Sequence, residues 1–269
     1  MPTHVALTIA GSDSGGGAGV QADLKVFSAL GVFGTSALTL VTAQNTTGVR
    51  GIEMLSTDMI AAQIAAVFED FEIGAIKIGA LGSAAVIGTV EEILRGTEMP
   101  VVLDPVMIAK SGDPLLAEDA VGVLRSELLP RATILTPNLP EAAALLGTAL
   151  AETAEEIQAQ GRALAALGPA HVLMKGGHGT GSQSTDYLIG PGGTLPLPAQ
   201  RIATTNTHGT GCTLSAAIAA HLARGQDVET SVQAAKTYLT EALKGADALG
   251  LGAGHGPVDH FHAIWPHLT

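Results

Sequence analysis

Thr207-His208-Gly209-Thr210-Gly211-Cys212 is the stretch of this chain whose residue types are best suited to chemistry. Glycines on both sides of Thr210 let the backbone curl until successive N–H groups point at one spot. The segment enters a helix expected over Thr213–Ala223, where Leu214, Ile218 and Leu222 recur at intervals of four. A helix N-terminus carries roughly half a positive charge. Amides gathered there, with Gly209, Thr210 and Gly211 forming the nest, suit the negative charge on a transferring phosphoryl group. A flexible turn with a threonine cap is the plain alternative for Gly-Thr-Gly alone. Cys212 falls in the first turn of the helix, a location that favours the thiolate and lets the sulfur accept a proton from a substrate hydroxyl. Without such a context a lone cysteine is more often an inert packing residue.

Three further segments carry chemistry-bearing side chains. Asn138-Leu139-Pro140-Glu141 reads as a helix capping box. Alternatively Glu141 holds magnesium through water while Asn138 meets a phosphate, since magnesium keeps most of its waters and needs few carboxylates. Asp104, just before Pro105, is the natural second acidic group, although Asp-Pro by itself is a strand-ending turn. In Lys175-Gly176-Gly177-His178 the lysine could neutralise a phosphate and the glycines admit a nucleotide; otherwise Lys175 is a solvated loop charge. The usual nucleotide devices are missing. There is no Gly-Lys dipeptide for a Walker A loop, and no Gly-x-Gly-x-x-Gly turn after a strand. Asp13-Ser14-Gly15-Gly16 matches the surroundings of a trypsin-like serine nucleophile, but that class uses a two-barrel, all-β scaffold.

The elements that must position these residues alternate along the chain. Strands are expected at Val5–Ala10, Ser36–Ala43, Ala75–Ile78, Val101–Leu103, Thr133–Leu135 and His171–Met174, with a hairpin of Tyr187–Ile189 and Thr194–Leu197 around Gly190–Gly193. Helices are expected at Ala22–Leu30, Met59–Asp70, Ala84–Leu94, Leu116–Leu128, Glu141–Leu146, Ala154–Leu167, Thr213–Ala223 and Thr230–Leu243. Apolar strands separated by helices predict a mainly parallel sheet covered on both faces, with ligands at the carboxyl ends of its strands. Those ends hold Gly11–Gly19, Gln44, Gly79–Leu81, Asp104–Ala109, Thr136–Glu141, Lys175–His178 and Thr204–Cys212. No linker or repeat interrupts the pattern, so residues 1–269 are read as one domain.

Composition narrows the functions. With 46% hydrophobic but only 3% aromatic residues, the core must be aliphatic. Thirteen Lys and Arg against 25 Asp and Glu give a formal net charge of -12, which argues against a nucleic-acid partner. A single cysteine excludes an internal disulfide. No signal peptide and no apolar run of ~18 residues is present, which reads as a cytoplasmic protein without a membrane span.

Together, Ala10–Asp23, Thr42–Thr46, Lys77–Gly79, Leu103–Met107, Lys110–Gly112, Thr136–Glu141, Lys175–His178, His208–Cys212 and Gly254–Phe261 resemble the ribokinase-like superfamily. Within it, the chain is similar to the hydroxymethylpyrimidine/phosphomethylpyrimidine kinases of thiamine biosynthesis. The resemblance implies a three-layer ribokinase-like α/β fold, use of ATP and Mg2+, room for a monovalent cation, and a homodimer acting on a small molecule. Its reaction is phosphorylation of an aminopyrimidine alcohol and then of the resulting monophosphate. It further implies that Gln44 and Asp23 hydrogen-bond the aminopyrimidine, and that Gly11, Ala18 and Val106 line its pocket. Cys212 would be the base, beside Gly209 and Gly211. Asn138, Lys175 and Thr210 would meet the ATP phosphates, Lys236 would border the nucleotide, and Asp104 and Glu141 would organise magnesium. One departure is Ala80-Leu81 where the family often has Met packing on the pyrimidine. A pyridoxal-type vitamin kinase is therefore the alternative within the class, and a non-catalytic ligand-binding protein the alternative outside it.

Overall fold

The computed structural model describes residues 3–109, 112–178 and 183–265. In chain order the strands are β1 (Val5–Asp13), β2 (Phe33–Asn45), β3 (Gly48–Met54), β4 (Ala75–Ile78), β5 (Val101–Leu103), β6 (Ile134–Leu135), β7 (His171–Met174), β8 (Gln183–Gly190) and β9 (Gly193–Gln200). The helices are α1 (Gly19–Ala29), α2 (Thr57–Asp70), α3 (Ala84–Leu94), α4 (Ala120–Val123), α5 (Leu139–Leu146), α6 (Ala154–Ala165), α7 (Thr210–Ala223) and α8 (Val228–Gly245). Among the described residues these strands form one sheet in the order β3-β2-β1-β4-β5-β6-β7-β8-β9. The run from β2 to β7 is parallel, while β3, β8 and β9 are joined antiparallel at the two ends.

Alternation along the central strands sorts side chains into two layers. Leu7, Ile9, Ile76, Ile78, Leu103, Leu135 and Met174 face α2 to α6, and the buried Ile60, Ile64, Ile87 and Leu145 answer them. Ala6, Ala75, Val102, Ile134 and Leu173 face α1, α7 and α8. α7 is apolar nearly all round and wholly buried from Thr213 to Ala223; its alanines let it lie close to the sheet under α8. The expected three-layer architecture is present.

The differences from expectation have local causes. β1 runs three residues past Ala10, through a register shift near Gly11, because Ser12 and Asp13 still pair with Val41 and Thr42 of β2. β3 was not expected. Its two glycines and its charges hide the strand signal, and most of its side chains are exposed at the sheet edge. The helix expected over Leu116–Leu128 is only α4 followed by a π-helical turn at Leu124–Leu128. α5 starts at Leu139 rather than Glu141, because Asn138 and Glu141 close a reciprocal capping box.

Ile64 of α2 is fully buried beneath the sheet. Ile64→Ala is expected to lower unfolding stability by about 2–5 kcal/mol, measured by urea denaturation.

Candidate functional site

Parallel strands bring their carboxyl ends to one edge of the sheet, and a cavity of about 590 Å³ opens there. It is bordered by the Gly11–Gly19 loop, the end of β2, the segments after β5 and β7, and the start of α7. Of the seven helices with eight residues or more among the described residues, five carry a side-chain cap: Ser56, Ser83, Asn138, Thr153 and Asp227. The two without one are α1 and α7, and both begin at the cavity. Their first amides are thus presented to whatever binds there.

The two helix starts are fastened together. Gly209 caps α7 in the left-handed region at φ 79°, and a Cβ there would run into the Gly17 carbonyl oxygen. His208 Nε2 lies 2.7 Å from Asp13 Oδ2, which also accepts from the amides of Gly17 (3.0 Å) and Ala18 (2.9 Å). Asp13 Oδ1 accepts from Gly15 N at 2.8 Å. Burial works against the Asp13 carboxylate, but His208 and these amides together hold its pKa below the ordinary value. The backbone of His208 is also tied to the C-terminal tail, donating to Gly256 O and accepting from Val258 N. Asp13, first met as a serine-hydrolase lookalike, is therefore the clamp of the turn that starts α7. No sequence period marks such a role, because its partner lies 195 residues away.

The acidic and basic groups form a second cluster. Lys175 Nζ donates to Asp104 Oδ1 at 2.8 Å and lies 3.9 Å from Glu141 Oε2. Thr136 Oγ1 and Ser215 Oγ also reach Asp104. Burial opposes both ions of the Lys175–Asp104 pair, yet mutual attraction keeps Lys175 above and Asp104 below its ordinary pKa. Burial pushes the Glu141 carboxyl up to about 7, against the pull of Lys175. Asn138 spends its side-chain oxygen on Glu141 N, and Glu141 Oε2 accepts from Asn138 N, both at 2.8 Å, so the capping box is real. It coexists with exposure of both residues to the cavity.

Most of the residues singled out from sequence meet here. Gly11, Ala18, Gln44, Val106, Asp104, Asn138, Glu141, Lys175, Gly209, Thr210, Gly211, Cys212 and Lys236 all border the cavity. Thr210 Oγ1 is turned back onto Thr207 O at 2.6 Å. Lys236 is paired with Asp186 Oδ2 at 2.5 Å, on the side formed by β8. Ala80 is buried at the cavity wall. Lys110 and Ser111 lie outside the described residues.

Two expectations need correction. Asp23 does not border the cavity: it is fully buried under α1, with Oδ2 taken by Thr8 Oγ1 (2.6 Å) and Lys77 Nζ (2.8 Å). A carboxylate on the inner face of a helix cannot meet a ligand in the cavity. Nor does the helix start by itself produce a thiolate. Burial pushes the Cys212 thiol up to about 11, a larger effect than the nearby positive charge of Lys77.

The comparisons agree with the geometry. The family described as phosphomethylpyrimidine kinase matches residues 13–259. A hydroxymethylpyrimidine/phosphomethylpyrimidine kinase of Escherichia coli (strain K12) is 53% identical over 97% of this chain and 98% of its own. The crystal structure of a Clostridium difficile 630 phosphomethylpyrimidine kinase is 43% identical and superposes with a TM-score of 0.79, covering 89% of this chain and 99% of that one. An ADP complex of Bacillus subtilis pyridoxal kinase is 36% identical with a TM-score of 0.89, covering 96% and 98%.

His208→Ala leaves a buried carboxylate oxygen short of a donor. It is expected to cost about 1–3 kcal/mol at neutral pH. Because the Asp13 pKa is depressed on folding, its contribution is present at neutral pH and is lost as the carboxylate protonates. The difference between the two proteins in urea denaturation should therefore shrink as pH falls below about 4.

Proposed function

The chain belongs to the phosphomethylpyrimidine kinase family, and from that we propose how its cavity performs the family's two phosphorylations. It is an ATP-dependent kinase of 4-amino-5-hydroxymethyl-2-methylpyrimidine and then of its monophosphate, in thiamine biosynthesis. The observation that carries the mechanism is the meeting, in one cavity, of an uncapped glycine helix start, a sulfur in its first turn and a largely buried lysine–carboxylate cluster.

The pyrimidine sits between Gly11, Ala18, Gln44 and Val106, with the Gln44 amide offering both a donor and an acceptor to the ring. The amides of Gly209 to Cys212 receive the migrating phosphoryl group and stabilise the charge that spreads over its oxygens. Lys175 neutralises the nucleotide phosphates, and Lys236 with Asp186 borders the nucleotide from the β8 side. Asp104 and Glu141 fit a magnesium ion: they are paired acidic groups, and the raised Glu141 pKa means a cation nearby would favour its ionised form. Magnesium, when bound there, supplies charge neutralisation on the phosphates.

In the first step Cys212 takes the proton of the hydroxymethyl oxygen as that oxygen bonds to phosphorus. In the second the acceptor is already anionic, so orientation matters more than a base. Ala80 leaves the ring pocket wider than a methionine would, which favours some turnover of pyridoxal as a second substrate. No helix among the described residues is long and apolar enough to cross a membrane, and in this reading the enzyme works in the cytoplasm. Exposed Ile52 and Met54 on the edge strand β3 support a homodimer.

Cys212→Ala should slow ATP consumption with the pyrimidine alcohol by ~10²-fold or more, and affect the monophosphate step less. An unaltered alcohol step removes Cys212 from the base role. With a thiol pKa of about 11, the thiolate fraction grows with pH across the neutral range. The alcohol step of the unaltered protein should therefore accelerate between about pH 7 and 9, and the second step should lack that slope. Gln44→Ala should mainly raise the KM for the pyrimidine; an unchanged KM removes Gln44 from the pocket. Pyridoxal turned over faster than the pyrimidine would reverse the substrate assignment.

A further inference from the structure

Along β4, Ile76 and Ile78 point into the layer of α2 to α6, and Lys77 between them points the other way, towards α1 and α7. Its side chain is buried, and the residue forms part of the wall of the cavity that Cys212 also lines. Nζ donates to Asp23 Oδ2 at 2.8 Å, and Thr8 Oγ1 holds the same oxygen at 2.6 Å. Asp23 Oδ1, equally buried, has no hydrogen-bond partner among the described residues. An ion pair inside an apolar layer gains little stability over apolar side chains of the same volume, so packing does not account for Lys77.

Its neighbour does. Cys212, in the first turn of α7, lines the same cavity as Lys77 and as Gly19 at the start of α1. The charged groups around the sulfur are Lys77 from β4, Asp23 from α1, Asp104 after β5 and Lys175 after β7. Burial disfavours the thiolate most strongly; Lys77 is the largest influence opposing burial, whereas Asp23 and Asp104 act with it. Lys77 keeps its proton: burial is outweighed by the negative charge of Asp23, Cys212 and Asp104.

We propose that Lys77, clamped by Asp23 and Thr8 in the cavity wall that it shares with Cys212, is a positioning residue that holds a positive charge near the sulfur so that it can act as base in the alcohol-directed step. The inference rests on the reading of Cys212 as that base. In the step itself the hydroxyl O–H bond breaks and its proton passes to the Cys212 thiolate, giving the thiol. The freed oxygen bonds to the terminal phosphorus of ATP, and ADP departs with the electron pair of the broken P–O bond. The thiol then returns its proton to water. The ammonium of Lys77 neither gives nor takes a proton; it lowers the cost of the thiolate that precedes the step.

Lys77→Met alone would strand the buried Asp23, so the test compares Asp23→Asn with the double variant Lys77→Met/Asp23→Asn, which differ only in the ammonium. Cys212 is the chain's single cysteine, so iodoacetamide labelling reports on it alone. Relative to Asp23→Asn, the double variant should be alkylated at least about tenfold more slowly at pH 8, the effect of one pKa unit on the thiolate fraction. The ratio of alcohol-step to monophosphate-step kcat should fall by at least about tenfold as well. Equal alkylation rates, or two kinase steps that fall in parallel, would overturn the proposal. Alkylation needs no turnover. If none of the proteins phosphorylates the pyrimidine while labelling still slows, it is the kinase reading that fails and not the pairing of Lys77 with the sulfur.

Discussion

The close approach of the Gly17 carbonyl to the backbone of Gly209 is the constraint on which the site depends. It brings the starts of α1 and α7 to one point, and neither helix spends a side chain on capping its amides there. Only a residue without a Cβ, in the left-handed region, can occupy position 209 against that carbonyl. Asp13 and His208 close the same junction from the side and tie in the C-terminal tail through Gly256 and Val258. The Gly15–Ala18 loop and the turn that starts α7 are therefore one mechanical unit, although their sequences lie almost 200 residues apart.

Around that junction the charges are finely balanced. Two lysines, the buried Lys77 and the partly buried Lys175, face three carboxyl groups, Asp23, Asp104 and Glu141. Glu141, pushed by burial to a pKa of about 7, eases the surplus of negative charge by retaining its proton part of the time. A nucleotide adds more negative charge, which supports the placement of a divalent cation beside these carboxylates. The same low-dielectric surroundings that raise the Cys212 thiol also strengthen the effect of any charge placed next to it. A sulfur in such a setting is governed by its charged neighbours more than by the dipole of the helix it starts.

Packing gives this arrangement its rigidity. α7 lies between sheet and α8 with Ala216, Ala217, Ala219 and Ala220 fully buried, so its axis sits near the strands and its first turn is fixed relative to their carboxyl ends. The low aromatic content of the chain is the compositional trace of this closeness. A bulkier core would move α7 away from β4 and β5, and Cys212 with it.

By itself the sequence determined the alternation of strands and helices, the parallel sheet and the edge on which ligands collect, because those follow from local periodicity and from the way parallel strands share a direction. Ala75–Ile78, Ala84–Leu94, Val101–Leu103 and His171–Met174 have the bounds their apolar runs imply. It also marked Gly209–Cys212, Asp104, Glu141 and Lys175, whose residue types are unusual at strand ends. Tertiary structure alone decided what a side chain faces. Asp23 lies on a helix that starts at the cavity, yet its register turns it inward to Lys77; Asp13 finds its partner at the far end of the chain; and Cys212 owes its proton affinity to burial. These are properties of long-range contact and of local dielectric, and no spacing along the chain encodes either.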